Sequence, residues 1–389
     1  MKIGFQIEHL DPARGGAETY VYQFATELLA AGHEVHLIAA AFGSTPRGAF
    51  TRRVMRRGLT RWGRDLRFAR AAGRAARRAS LDVVVAVGRT FGADVLQPHG
   101  GTLLGSRRQN LLILRNPVVR ALKDGFDWVN PRIRTLLWIE AAQFAADPAP
   151  EVVAISRMVM QDIKTFYKVP DERLHLVYNG VDLARFSPEA CAEKRAEART
   201  ALGLKDDETC YLLIAHNFRL KGVRELVEAA ARLGRGRRWR VLVIGKAAAK
   251  PYLELADRLG CAERFRFPGA VPDVVPAYAA CDAYVHPTWY DPCSLVVLEA
   301  LASGRPVVTT RSNGAAELMA DGRDGFLVDS PRDTDRLADA MARLMDPDLR
   351  ARMGPAARLA VRDCSIQRNF REMMAVFEKV AHRKEAGKS

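Results

Sequence analysis

No two cysteines in this 389-residue sequence stand in a CxxC or other metal-ligand spacing, and the first 190 residues contain none. The six thiols at 191, 210, 261, 281, 293 and 364 make poor material for a disulfide framework and fit a reducing cytosol. No window approaches about 18 uncharged apolar residues, so no membrane-spanning helix is expected and any membrane contact is peripheral. The opening MKIGFQIEHLDPARGG carries one lysine and a short apolar run with an acid close behind, unlike a secretory signal. Neither GxGxxG nor HExxH occurs.

Acid is scarce relative to base. Sixty Lys and Arg against 45 Asp and Glu give a formal charge of +15, much of it from RGAFTRRVMRRGLTRWGRDLRFARAAGRAARR, Arg47 to Arg78. Such a stretch suits nucleic acid, an anionic lipid surface or an acidic substrate. The remaining composition, 48% hydrophobic and 27% charged, is that of a folded protein. The length exceeds one usual core, so two domains of roughly 150–200 residues are expected.

Strand-like runs at 2–7, 33–40, 82–87, 151–155 and 174–178 alternate with helical patterns at 17–31, 62–79, 132–146 and 157–167. A charged segment, 182–208, reads as a linker with a short helix. A second series follows: strands at 210–218, 239–244, 264–267, 282–286 and 306–309, with helices at 222–234, 251–259 and 295–303. Helices at 331–345, 349–360 and 366–384 close the chain. This rhythm predicts an α/β protein of two Rossmann-like doubly wound domains, 1–181 and 209–365, facing a central cleft. Ligands of such sheets bind at the carboxyl ends of the strands.

Several candidates stand at those ends. Gly15 and Gly16 in DPARGGAE allow either a tight turn or a backbone surface close to a substrate; Glu18 suits the first turn of a helix. His99, between Pro98 and two glycines, is either a structural histidine or a loop group that meets a hydroxyl or phosphate, with a pKa useful for that bond. Arg219 and Lys221, in NFRLKG, precede a helix whose dipole prefers anions, so they make sense as holders of a diphosphate. In HPTWYDPCSLVVLEALASG, the backbone amides of Ser294 and Leu295 open a helix and suit phosphate oxygens. Asp291 before that helix and Glu299 inside it need hydrogen-bonding partners in so apolar a setting; a sugar hydroxyl and a ribose diol would supply them. Together these describe a sugar nucleotide. The acid pairs Asp333–Asp335 and Asp346–Asp348 fall at helix starts, where capping explains them better than a metal.

The spacing Asp291-x7-Glu299 followed by ALASGRPVVTT, with NFRLKG and the glycine-rich first loop, resembles the retaining GT-B glycosyltransferases of family 4. VAISRMVMQDIKTFYKVPDERLHLVYNGVDLARFSP, residues 153–188, is similar to the stretch linking their domains. RLKG and CSLVVLEA look most like the lipopolysaccharide core hexosyltransferases that add glucose or another hexose to inner-core heptose. The resemblance implies a metal-independent enzyme with no cofactor, taking a nucleoside-diphosphate sugar, UDP-glucose foremost, to a lipid-linked saccharide. It implies that Arg219 and Lys221 bind the diphosphate and Glu299 the ribose. Asp291 contacts the transferred sugar, Ser294 and Leu295 the phosphates, and His99 the 6-hydroxyl region; Gly15 and Gly16 line the acceptor side. The family usually places Glu where Asp291 stands, and separates its two cations by more residues. The last helix would cross back onto the first domain. Location in the cytoplasm is expected, peripheral on the inner membrane face, with the Arg47–Arg78 region on anionic lipid.

Two rivals remain at this level. A nucleotide-sugar epimerase of the same architecture would draw its acid/base set from His99, Glu18 and Asp11, and would need no acceptor. A nucleic-acid binder would use the arginines, although no recognised motif accompanies them.

Overall fold

The computed structural model describes residues 1–234 and 236–387, which form two compact units: Met1–Asn179 with the chain from Asn369 onward, and Gly180–Arg368. The first is built on a seven-stranded sheet, every pair parallel, in the spatial order Phe50–Arg53, Glu34–Ala39, Lys2–Gln6, Val83–Ala86, Val95–Leu96, Glu151–Ala154, Leu174–Leu176. Its central strands read as near-continuous apolar runs because helices cover both faces.

On one face Ile3, Phe5, Leu37, Val83 and Val85 meet Val21, Phe24 and Leu28 of the helix Gly16–Ala30. Met373, Val376, Phe377 and Val380 of the C-terminal helix Ile366–Ala386 complete that core. Burying the Phe377 side chain is worth about 1.5–3 kcal/mol, so this helix belongs to the first unit energetically as well as spatially.

The opposite face receives Phe68, Ala72, Ala75 and Ala76 of the helix Arg61–Arg78. Small residues let it lie close: a Cβ at Gly73 would stand 2.6 Å from the Phe91 carbonyl oxygen. Arg61, Arg67, Arg70, Arg74, Arg77 and Arg78 point outward. The basic run is therefore one face of an amphipathic helix.

The second unit carries a six-stranded parallel sheet in the order Phe265–Gly269, Trp239–Ile244, Thr209–Ile214, Ala283–His286, Val307–Thr310, Gly325–Val328. Residues 182–208, read from sequence as a linker, belong to this unit. Their helix Pro188–Ala201 is held by Arg195 and Arg199, both bonded to the buried carboxylate of Asp282 at 2.6 and 3.3 Å. Asp333 and Asp346 cap their helices, accepting from Arg336 and Asp348 backbone N–H groups.

Two helices, Leu103–Leu112 and Pro117–Val129, occupy a segment where the sequence pattern predicts no element. Their neighbour Pro131–Phe144 and the helix Pro117–Val129 begin alike, with Asn130 and Asn116 as caps and proline at the first helical position. The short strands Phe50–Arg53 and Gly325–Val328 are likewise additions.

Candidate functional site

Gly222 organises the second unit's site. Its φ is +75°, and a Cβ there would lie 2.0 Å from the Pro287 carbonyl oxygen, so only glycine permits the two loops to approach. The approach is stitched by Trp289 N–H donating to the Leu220 carbonyl at 2.9 Å and by the Thr288 hydroxyl donating to the same oxygen at 3.2 Å. Lys221 is thereby delivered to the loop that carries Asp291. Arg219, two residues earlier, is exposed.

Lys221 Nζ lies 2.6 Å from Asp291 Oδ2, and His286 Nε2 lies 3.2 Å from the same oxygen. Asp291 is buried and its backbone is fixed on both sides: its N–H donates to the Ser312 carbonyl, and its carbonyl accepts from Gly314. Burial alone would raise its pKa. The Lys221 ammonium and the His286 hydrogen bond more than offset that and hold the carboxyl well below the usual carboxylate range. Burial pushes His286 down, opposed by Asp291.

The helix Leu295–Ala302 starts from Ser294. The sequence assigns the amides of both Ser294 and Leu295 to phosphate, but the Ser294 N–H already donates to Asn313 Oδ1 at 3.3 Å. The open first-turn amides are thus those of Leu295, Val296 and Val297, since the first intrahelical bond is from Leu298 N–H to the Ser294 carbonyl. Ser294 offers something else: its hydroxyl is buried, caps nothing, and has no hydrogen-bond partner among the described residues.

Glu299 is only partly covered, yet its carboxyl is enclosed enough that desolvation raises its pKa to about 7, against the lowering effect of a hydrogen bond from Tyr278. The Tyr278 hydroxyl lies 2.8 Å from Glu299 Oε2. Lys221, Asp291, Ser294, Leu295 and Glu299 therefore gather around one helix start. Tyr278, His286 and Asn313 complete the set, and sequence reasoning gave them no role. His286 stood in the quoted stretch at a strand end, which was the available signal; Tyr278 and Asn313 had none.

Gly15, Gly16 and His99 belong to the first unit. Gly15 is extended, with φ 175°, and caps the helix that begins at Gly16. His99 packs on Tyr20 of that helix, ring centroids 4.3 Å apart. Its Nε2 is buried without a partner among the described residues. Burial lowers its pKa to about 3, so the imidazole is neutral at ordinary pH. This corrects the expectation of a useful titration near neutrality: His99 can donate or accept one hydrogen bond, but it does not switch charge there.

Two doubly wound parallel-sheet α/β domains, the second gathering cations and acids at its strand ends, define a GT-B fold. Solved structures agree. A crystal structure of WaaG, a glycosyltransferase involved in lipopolysaccharide biosynthesis, matches with a TM-score of 0.83 at 22% identity over 97% of this chain and 98% of that one. Anabaena Alr3699/HepE in complex with UDP-glucose matches at 0.72 and 19% identity, over 99% and 100%. Residues 14–185 match Glycosyltransferase Family 4, and residues 210–347 match Glycosyl transferases group 1. The chain belongs to the family 4 glycosyltransferases. Lipopolysaccharide glucosyltransferase WaaG of Escherichia coli K12 is 26% identical over 228 residues, 58% of this chain and 61% of that protein. Alignments with three of the curated relatives span 50%, 61% and 47% of their lengths. Neither the epimerase nor the nucleic-acid reading is favoured by these matches.

Proposed function

We propose that the chain is a retaining glycosyltransferase that moves a hexose, glucose foremost, from a UDP-sugar to a hydroxyl of a lipid-linked saccharide such as lipopolysaccharide core heptose. The observation that carries this reading is the cluster of Lys221, Asp291 and an uncapped Ser294 at the start of the helix Leu295–Ala302. The names of the similar proteins support the donor and acceptor classes.

Arg219, Lys221 and the amides of Leu295 and Val296 hold the diphosphate and offset its charge as it departs, with no metal required. Glu299 accepts from the ribose diol, and Asp291 from the transferred sugar. His99 reaches the 6-hydroxyl region, and Gly15 and Gly16 line the acceptor side. The acceptor hydroxyl attacks from the face the diphosphate leaves, and the diphosphate takes its proton.

The enzyme works in the cytoplasm at the inner membrane face. No described helix is long and apolar enough to cross a membrane. The helix Pro117–Val129 nevertheless exposes Val118, Leu122, Phe126 and Val129, each between 61% and 69% accessible, at spacings of four, four and three residues. These form one face. Trp128 and Trp138 are also exposed, as are the arginines of the helix Arg61–Arg78. Apolar, aromatic and cationic groups together suit an anionic lipid interface. The sequence placed that contact on the arginines alone.

Thermal unfolding in the presence of UDP-, ADP- and GDP-sugars, followed by turnover with lipid extract, tests the reading. A UDP-hexose is expected to protect best and to be consumed only when acceptor is present. Protection by none of these donors, or consumption independent of acceptor, refutes it.

A further inference from the structure

We propose that His286 is a positioning residue: with Tyr284 behind it, it fixes Asp291 so that one carboxylate oxygen holds Lys221 and the other is presented to the donor's sugar. The inference rests on the glycosyltransferase reading above and assigns a residue that reading leaves without a role.

The geometry runs through four side chains. His286 ends the strand Ala283–His286, and its ring is fully buried. A carboxylate can only accept, so the Nε2 that stands 3.2 Å from Asp291 Oδ2 carries the ring proton. That leaves Nδ1 as an acceptor, and the Tyr284 hydroxyl lies 3.4 Å from it. Tyr284 is itself anchored on the neighbouring strand, accepting from Ile214 N–H at 3.2 Å, and its single proton is shared between Nδ1 and the Ile214 carbonyl oxygen 3.3 Å away. Lys221 Nζ approaches the same Asp291 Oδ2 at 2.6 Å. Both donors thus converge on Oδ2, and Oδ1 makes no hydrogen bond among the described residues.

This arrangement also bears on the shorter acid. A carboxyl one methylene nearer the backbone has less reach and fewer orientations. A fixed donor from the strand end sets its plane, while the Lys221 contact sets its charge. The titratable and charged groups acting on Asp291 and His286 are Lys221, Tyr284 and each other, with Glu299 acting on Tyr284 from the adjoining helix. Removing the imidazole takes away one of the donors that favour the charged carboxylate, so Asp291 protonates at higher pH.

Calorimetric titration of UDP and UDP-glucose against wild type, His286→Leu and His286→Gln, at pH 5 to 8, tests this. Gln keeps an N–H donor near the position of Nε2; Leu does not. In His286→Leu, UDP is expected to bind within about twofold of wild type. The extra affinity of UDP-glucose over UDP is expected to fall about tenfold, with the loss deepening toward pH 5. His286→Gln is expected to recover most of it. An unchanged UDP-glucose preference in a folded His286→Leu overturns the inference and leaves the donor reading intact. An equal loss for both ligands that Gln does not rescue also overturns it, because it marks a packing role only. A wild-type chain that binds neither UDP nor UDP-glucose overturns the UDP-sugar reading and this inference with it.

Discussion

Each unit buries an acid between a histidine and a lysine, and the two acids differ in how many oxygens are committed. Glu151, in the first unit, takes His175 Nε2 at 2.8 Å and Lys379 Nζ at 2.9 Å on Oε2, and Arg383 at 2.9 Å on Oε1. Those partners come from the adjacent strand and the C-terminal helix, so Glu151 fastens that helix to the sheet. Asp291, in the second unit, has His286 and Lys221 on one oxygen and nothing on the other among the described residues. A saturated buried acid holds a fold together; a half-saturated one keeps an acceptor for something that arrives later.

The helix starts repeat the contrast. Ser156 follows a strand in the first unit and caps its helix, accepting from Val159 N–H at 3.2 Å. Ser294 follows a strand in the second and caps nothing.

The largest break in the comparison comes from Lys221→Ala. Transfer is expected to slow by about 10²–10³-fold, the usual loss of one preorganised group facing a developing charge, as read by initial rates at saturating donor. Glu151→Ala is expected to do the opposite: a loss of about 2 kcal/mol in denaturant unfolding, from several charge-assisted bonds to partly exposed partners, with the turnover of the folded fraction unchanged.

Glu299 gives a pH test. Its pKa is raised to about 7 by desolvation, and a diol needs the carboxylate. UDP affinity is therefore expected to rise by up to about tenfold from pH 6 to pH 8, and Glu299→Gln should bind weakly and flatly across that range. Stability runs the other way. Because the folded pKa exceeds the unfolded one, the contribution of Glu299 is fully present below the ordinary Glu value and is lost as pH rises toward 7. The smallest effect separates the serines. Ser156→Ala should cost about 1 kcal/mol in unfolding, whereas Ser294→Ala should leave stability within about 0.5 kcal/mol and weaken UDP binding a few-fold.

Much of the fold was legible because buried parallel strands are apolar throughout and their helices keep a 3.6 period. Phe50–Arg53 escaped because it is an exposed edge strand, FTRR, without alternation. Helix Pro117–Val129 carried its signal in the two Asn-Pro pairs and the Val118, Leu122, Phe126 spacing, but its apolar face is turned outward, so no core pattern announced it. At the site, the types and spacing of Arg219, Lys221, Asp291 and Glu299 were readable. The capture of the Ser294 amide by Asn313 was not, since the two are 19 residues apart. Nor was the neutrality of His99, which depends on what Tyr20 and its surroundings bury.

The sequence by itself determined the two α/β series, the positive balance and the chemical types at the strand ends, because these follow from local periodicity and composition. Only the tertiary structure decided which oxygen of Asp291 is taken, which serine caps and which acid stays open. Those depend on the close approach at Gly222 and on desolvation, and both arise from residues distant in the chain.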